Sequence, residues 1–176
     1  MFLCVNSPGG NAIAALRIYA RAKEWTASGR PLIAHIQRAA SGASVVALAA
    51  DYRVLDLGGH LAVHDVSGGT LGERATAQGA FEAIYCAETF LPGDVVQGYM
   101  AREGWVTAGR DSFREGWIDE VGDFADASRI AVAVAAGGEF PDSPRRRRVR
   151  IAVDSAEAER IVAGLWKTGE IEMVNL

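Results

Sequence analysis

The sequence predicts an α/β fold built on a largely parallel sheet, and three observations support it. Short apolar runs that suit buried strands recur at Phe2–Val5, Leu32–Ile36, Tyr52–Leu57 and His60–Asp65, helix-forming stretches lie between most of them, and glycine or proline clusters mark the joins. Strands alternating with helices imply right-handed crossovers and hence parallel pairing. At 176 residues, with 49% hydrophobic and 23% charged residues, the composition is that of a globular domain.

The elements follow in order. Phe2–Val5 starts as a strand and runs into Asn6-Ser-Pro-Gly-Gly10, where Pro8 stiffens a loop and the glycines free its backbone. Ile13, Leu16 and Ala20 then recur at helical spacing among Arg17, Arg21 and Lys23, predicting an amphipathic helix to about Ser28 that Gly29-Arg30-Pro31 stops. After the strand Leu32–Ile36, Ala39–Ala50 holds helix formers throughout, so Ser41 is expected where strand gives way to helix. Gly58-Gly59 is expected to split Tyr52–Leu57 from His60–Asp65 into two strands, and a loop over Ser67–Gly72 leads to a long helix, Glu73–Phe90. Leu91-Pro-Gly-Asp94 breaks the pattern, and Asp94 is a candidate cap for a helix over Val95–Arg102.

Two units are expected: residues 1–124 as the main domain, and 125–176 as a C-terminal extension to which no chemistry is assigned. Within the extension, Gly137–Pro144 reads as a linker, Arg145–Arg148 as a solvated hinge, Val149–Val153 as a strand, and Ser155–Lys167 as a helix with Ser155 as its cap. The net charge of −4 argues against a general nucleic-acid binder. Cys4 and Cys86 form no metal or redox spacing and are expected to be plain core residues of a protein in a reducing cytoplasm. The longest apolar stretches fall well short of the ~20 residues of a spanning helix, and no signal peptide is evident, so no membrane partner is expected.

Serine acyl transfer needs a nucleophile, a base and backbone N–H groups aimed at the oxyanion, and the chain offers residues for each. Gly9-Gly10 can bring N–H groups close to a reacting carbonyl. Ser41 is expected at a helix start, where it serves either as a nucleophile or as a simple cap; Ser44 reads as packing. His64 ends an apolar strand before a glycine loop and is either a base, a role that suits an imidazole at neutral pH, or a structural histidine. His35, inside a strand, and His60, at a turn, are weaker candidates. Asp65 should point away from His64's face of its strand.

The Asn-Ser-Pro-Gly-Gly loop, Ala39-Ala-Ser-Gly42, Leu61-Ala-Val-His64, Met100–Ala108 and Glu115–Val121 together resemble the Clp protease proteolytic subunit (ClpP) family, most closely its phage-type relatives that process capsid proteins. The resemblance covers residues 2–122. It implies the spiral β-α superfold shared with crotonases, and ATP-independent peptide-bond hydrolysis through an acyl-enzyme. It also implies a peptide or protein substrate, a homo-oligomeric ring with an unfoldase or capsid partner, and no cofactor or metal. By residue match, Ser41 is implied as nucleophile, His64 as base, and the backbone N–H groups of Gly10 and Gly42 as oxyanion hole. The same match puts Glu103 where the orienting acid belongs, with Asp111 as the alternative and a Ser-His dyad as a third option. Gln37 stands where the family has glycine, two places before the Ala-Ala pair, so a bulkier residue is expected beside the substrate strand. The family also has a stretch before the Asn-Ser-Pro-Gly-Gly loop, so the chain is expected to be truncated at its start and to expose its first strand as an edge. Two other functions are compatible with these residues: a non-catalytic assembly subunit, and a crotonase-like acyl-CoA enzyme.

Overall fold

A computed structural model describes residues 1–143 and Arg145. β1 (Phe2–Ser7), β2 (Ile33–Ala40), β3 (Tyr52–Val63) and β4 (Gly104–Thr107) lie side by side in that order, and β5 (Glu120–Val121) also pairs with β3. All pairings are parallel except β3 with β4. The fold is mixed α/β with a mainly parallel sheet, and β1 is an edge strand, paired with β2 alone among the described residues.

Crossover helices set the register of the strand ends. α1 (Ala12–Ala27) joins β1 to β2 and is capped by Asn11, whose side chain accepts from the Ala14 N–H. α2 (Gly42–Leu48) joins β2 to β3. α3 (Leu71–Glu88) opens with a reciprocal Thr70–Glu73 capping box, α4 (Gly93–Ala101) follows, α5 (Arg110–Arg114) is a single turn and α6 (Phe124–Ala135) is capped by Asp123. One face of the sheet packs on α1–α4 through Leu16, Tyr19, Val45, Leu48, Phe81, Ile84, Val96 and Met100. The other face is covered by α6 over the first halves of β2 and β3, where Ala127, Ile130 and Val134 pack with Ile33, Tyr52 and Val54.

Several sequence expectations are corrected. Ala39 and Ala40 are strand rather than helix, because both pair with β3, opposite Leu61 and Ala62, and Ala39 also pairs with Ser7 of β1; ladder pairing outweighs the helix preference of alanine. Gly58-Gly59 does not end a strand. β3 runs unbroken, and its bulge absorbs the glycines, with Ile36 opposite Leu55 and Arg38 already opposite His60. A Cβ on Gly59 would lie 2.8 Å from the Ile36 carbonyl oxygen, which is why glycine stands there. His60 is therefore in a strand and not at a turn. Asp94 lies in the first turn of α4, whose cap position is Pro92. Cys4 is exposed because it faces outward from the edge strand.

The Gly137–Pro144 linker is docked as far as Ser143. Phe140 stacks on Tyr52 with centroids 5.8 Å apart, and Ser143 is buried and bonded to Asp119. Arg145, expected in a solvated hinge, is buried: its Nε lies 2.9 Å from the Asp119 carboxylate, and its guanidinium also donates to the Asp51 carbonyl. Arg146–Arg148, the strand Val149–Val153 and the helix Ser155–Lys167 lie outside the described residues. No helix among the described residues is long and apolar enough to cross a membrane.

Candidate active site

Parallel strands bring their C-terminal ends to one edge of a sheet, and loops gather there. At that edge the chain leaves β1 into Pro8-Gly9-Gly10, leaves β2 at Ser41 and leaves β3 at His64.

Ser41 is the most unusual backbone position of the three. Its φ of 55° and ψ of −130° fall in a region that L-residues rarely occupy. Its N–H donates to the Ala62 carbonyl at 2.8 Å, extending the β2–β3 ladder by one step, and α2 starts at the next residue. The chain thus turns from strand to helix within one residue, which forces the positive φ. Ser41 sits at the N-cap position, yet its side chain makes no capping hydrogen bond, so the simple-cap alternative is not realised. The hydroxyl is half-buried and bonds to no described residue.

Ser44, read from the sequence as packing, and Tyr85, for which the sequence suggests no role, hold this turn. Ser44 Oγ donates to the Ser41 carbonyl at 2.6 Å and lies 2.7 Å from the buried Tyr85 hydroxyl, so Tyr85 donates to Ser44. Burial pushes the Tyr85 phenol up, keeping it a donor at neutral pH, although the Ser44 bond acts against the rise. The i, i+3 spacing of Ser41 and Ser44 was the available signal; Tyr85 comes from α3, and nothing in the sequence links it to Ser41.

The glycines crowd this corner. A Cβ on Gly9, whose φ is 96°, would lie 2.5 Å from the Ala40 carbonyl oxygen, 2.6 Å from Ser41 Cβ and 3.2 Å from the Gly42 nitrogen. A Cβ on Gly42 would meet Ala15 Cβ at 2.8 Å and the Gly10 oxygen at 3.9 Å. The Gly9-Gly10 loop therefore lies directly against Ser41 and Gly42. Among the described residues, neither the Gly10 nor the Gly42 N–H has a hydrogen-bond partner, whereas the Gly9 N–H is taken by Ser7 Oγ.

His64 is half-buried, with Nδ1 2.6 Å from the carbonyl oxygen of Asp65. A carbonyl only accepts, so Nδ1 carries the proton and Nε2 carries the lone pair. Among the described residues, Ser41 Oγ and His64 make no hydrogen bond to each other. Glu103 follows α4, and its φ of 53° turns the chain into β4. Val63 pairs with Gly104, so Glu103 stands one step further, at the register position beside His64. Its carboxylate is exposed and bonds to no described residue. Asp111 lies beyond the other end of β4, past Thr107, which pairs with His60; its carboxylate is 3.6 Å from Arg114 and faces solvent. Asp65 is bonded to Gln78. Gln37 is exposed, at the point where β2 slips by one residue against β1. His35 is buried in β2, 3.5 Å from Asp56 and edge-on to Phe124, far along the strand from this edge. No cluster of metal-ligating side chains occurs among the described residues.

The sequence matches no protein-family model and no curated protein. Its fold does have solved relatives. An asparagine-to-aspartate mutant of ClpP1 from Listeria monocytogenes superimposes with a TM-score of 0.63 over 72% of this chain and 75% of that one, at 16% sequence identity. The protein therefore has a ClpP-like fold.

Proposed function

We propose that the chain is a serine peptidase of the Clp type with Ser41 as its nucleophile. The observation that carries this reading is the conformation of Ser41: a left-handed serine between strand and helix, its hydroxyl bonded to no described residue, pressed against Gly9 and pinned by the Tyr85–Ser44 chain. A non-glycine residue in such a conformation costs about 1–3 kcal/mol, and such positions concentrate at active sites.

In the mechanism, Ser41 Oγ attacks the carbonyl carbon of the peptide bond while His64 Nε2 takes the hydroxyl proton. Negative charge develops on the carbonyl oxygen, and the unpartnered N–H groups of Gly10 and Gly42 receive it. Collapse breaks the C–N bond, and His64 returns the proton to the leaving amine. Water then attacks the acyl-serine, again giving its proton to His64, and the acid product leaves with Ser41 restored. The Ser41–His64 hydrogen bond has to close when substrate binds, as is common where unliganded sites are loose. Glu103, beside His64 in the β3–β4 register, is the acid that orients it and stabilises the imidazolium; in the unliganded state the Asp65 carbonyl holds Nδ1. Assembly into a homo-oligomeric ring in a reducing cytoplasm belongs to the same proposal.

The open Ser41–His64 geometry favours one rival, a non-catalytic assembly subunit. A fluorophosphonate probe separates the two readings. Labelling that maps to Ser41, and is lost in Ser41→Ala and His64→Ala, supports the peptidase; a parent protein that stays unlabelled sinks it.

A further inference from the structure

The sheet face that α6 covers near Ile33 and Tyr52 lies open beyond the β3 bulge. Pairing dictates which side chains share that open face: Arg38 with His60, Ala40 with Ala62, Ala62 with Trp105, and His60 with Thr107. Alternation along β3 puts His60, Ala62 and His64 on this same side, while Leu61 and Val63 enter the core. Two features of the face have no structural explanation. Trp105 is 62% exposed, with its ring 4.7 Å from that of His60 and tilted by 48°. Beneath it, His60 Nε2 is shut off from water and has no hydrogen-bond partner among the described residues. Buried imidazole nitrogens are normally satisfied, and an indole this exposed normally has something to cover it.

We propose that Trp105 and His60 form a side-chain subsite for the peptide substrate, taking an aromatic or large aliphatic residue two positions from the bond cleaved at Ser41. The inference rests on the peptidase reading and names the specificity of that site. Its basis is continuity: the platform adjoins His64 on one sheet face. An extended peptide advances ~6.6 Å per two residues, as β3 does between His64 and Ala62, and its side chains alternate in the same way. A peptide whose reacting carbonyl sits at Ser41 and His64 therefore brings a side chain two residues away over Ala62, against the Trp105 ring opposite it.

The test uses the full chain carrying Ser41→Ala, which binds without turnover. The probes are N-acetyl hexapeptide amides that differ at one position in carrying Phe, Leu or Asp, with that position moved along the peptide. Binding is read from the indole N–H signal that disappears in Trp105→Ala. The expected result is that Phe and Leu peptides bind roughly 2- to 10-fold more tightly than Asp peptides, at one position only, as stacking of this kind supplies. Trp105→Ala should erase the preference, Trp105→Phe should keep it, and Ile18→Ala, an exposed apolar change on α1, should leave it intact. Three results would overturn the proposal: a preference that survives Trp105→Ala, no binding of any peptide, or a changed sedimentation coefficient in Trp105→Ala with preference intact, which would make the face a contact with a second copy. Fluorophosphonate labelling of the parent reads the peptidase assignment separately, so labelling without a preference sinks only the subsite.

Discussion

β3 carries polar residues at both ends, and the two ends treat them in opposite ways. At its start, Arg53 is completely buried. One of its terminal nitrogens donates to the Glu88 and Gly116 carbonyls, and the other donates to the Leu48 carbonyl and lies 2.6 Å from the Glu88 carboxylate, leaving only Nε without a partner. Glu88 is held further by Lys23 at 2.8 Å and the Tyr19 hydroxyl at 2.7 Å, and Asp119 ties the Arg53 N–H to Ser143 and Arg145. At its end, beside Ser41, the serine hydroxyl, two glycine N–H groups and the Glu103 carboxylate have no described partner. Satisfied polar groups bind six chain segments into one body; spare ones, held in place by their neighbours, are what chemistry needs. The contrast predicts that changes at the first end alter stability and changes at the second alter activity.

The largest stability effect is expected from Arg53→Met. Burial lowers the Arg53 guanidinium to about 10, with Arg145 adding to the fall and Glu88 and Asp119 opposing it, so it stays charged at neutral pH. Its removal takes one of the two cations from the buried Glu88 carboxylate and leaves the Leu48, Glu88 and Gly116 carbonyls without its N–H groups, a change that costs about 3–5 kcal/mol. Denaturant unfolding measures this, and a loss below about 1 kcal/mol would mean that the network adds little.

Gly9→Ala should combine both kinds of effect. Its new Cβ strikes backbone at Ala40 and the side chain of Ser41, at a φ that alanine avoids. A stability loss above about 1 kcal/mol and a marked fall in kcat/KM are expected together. Retained activity with lost stability would free the glycine loop from any role in the site.

At the reactive end, Glu103→Gln should lower kcat/KM by roughly tenfold or more, while Asp111→Asn changes it little. Neither change should shift the unfolding midpoint appreciably, since both carboxylates are exposed. The reverse ranking would move the orienting acid to Asp111.

A smaller effect concerns pH. Burial pushes the Glu88 carboxyl up, but Lys23 and Arg53 outweigh it and hold the group below its ordinary range. A folded-state value below the unfolded one gives stability that is present above the ordinary glutamate pKa of about 4.3 and is lost as pH falls through the lower folded value. Glu88→Gln should therefore flatten the fall of unfolding free energy with acid below that point. An unchanged slope would assign acid sensitivity to other groups, such as the capping residues Glu73 and Asp123, whose carboxyls are also held low.

What could be read from the sequence follows the same division. Strand–helix alternation is local, so the α/β class, the strand ends at Ser41 and His64, and the glycine loop were all visible in it. The β3 bulge was not, because glycine pairs mark turns and bulges alike and only the pairing partner decides. The buried roles of Arg53, Arg145 and Asp119 were hidden too. They have partners 26, 35, 66 and 94 positions away, and a charged residue in a sequence reads as solvated until its partners are known. Tyr85 under Ser44 escaped for the same reason.

The most direct test of the central claim is Ser41→Gly, measured for stability and activity in the same preparation. If the left-handed Ser41 is strain retained for catalysis, glycine relieves it, offset in part by its greater freedom when unfolded, and the unfolding midpoint rises by the equivalent of about 1 kcal/mol while peptidase activity and fluorophosphonate labelling disappear. A variant that is less stable than the parent, or that keeps its activity, would contradict the account.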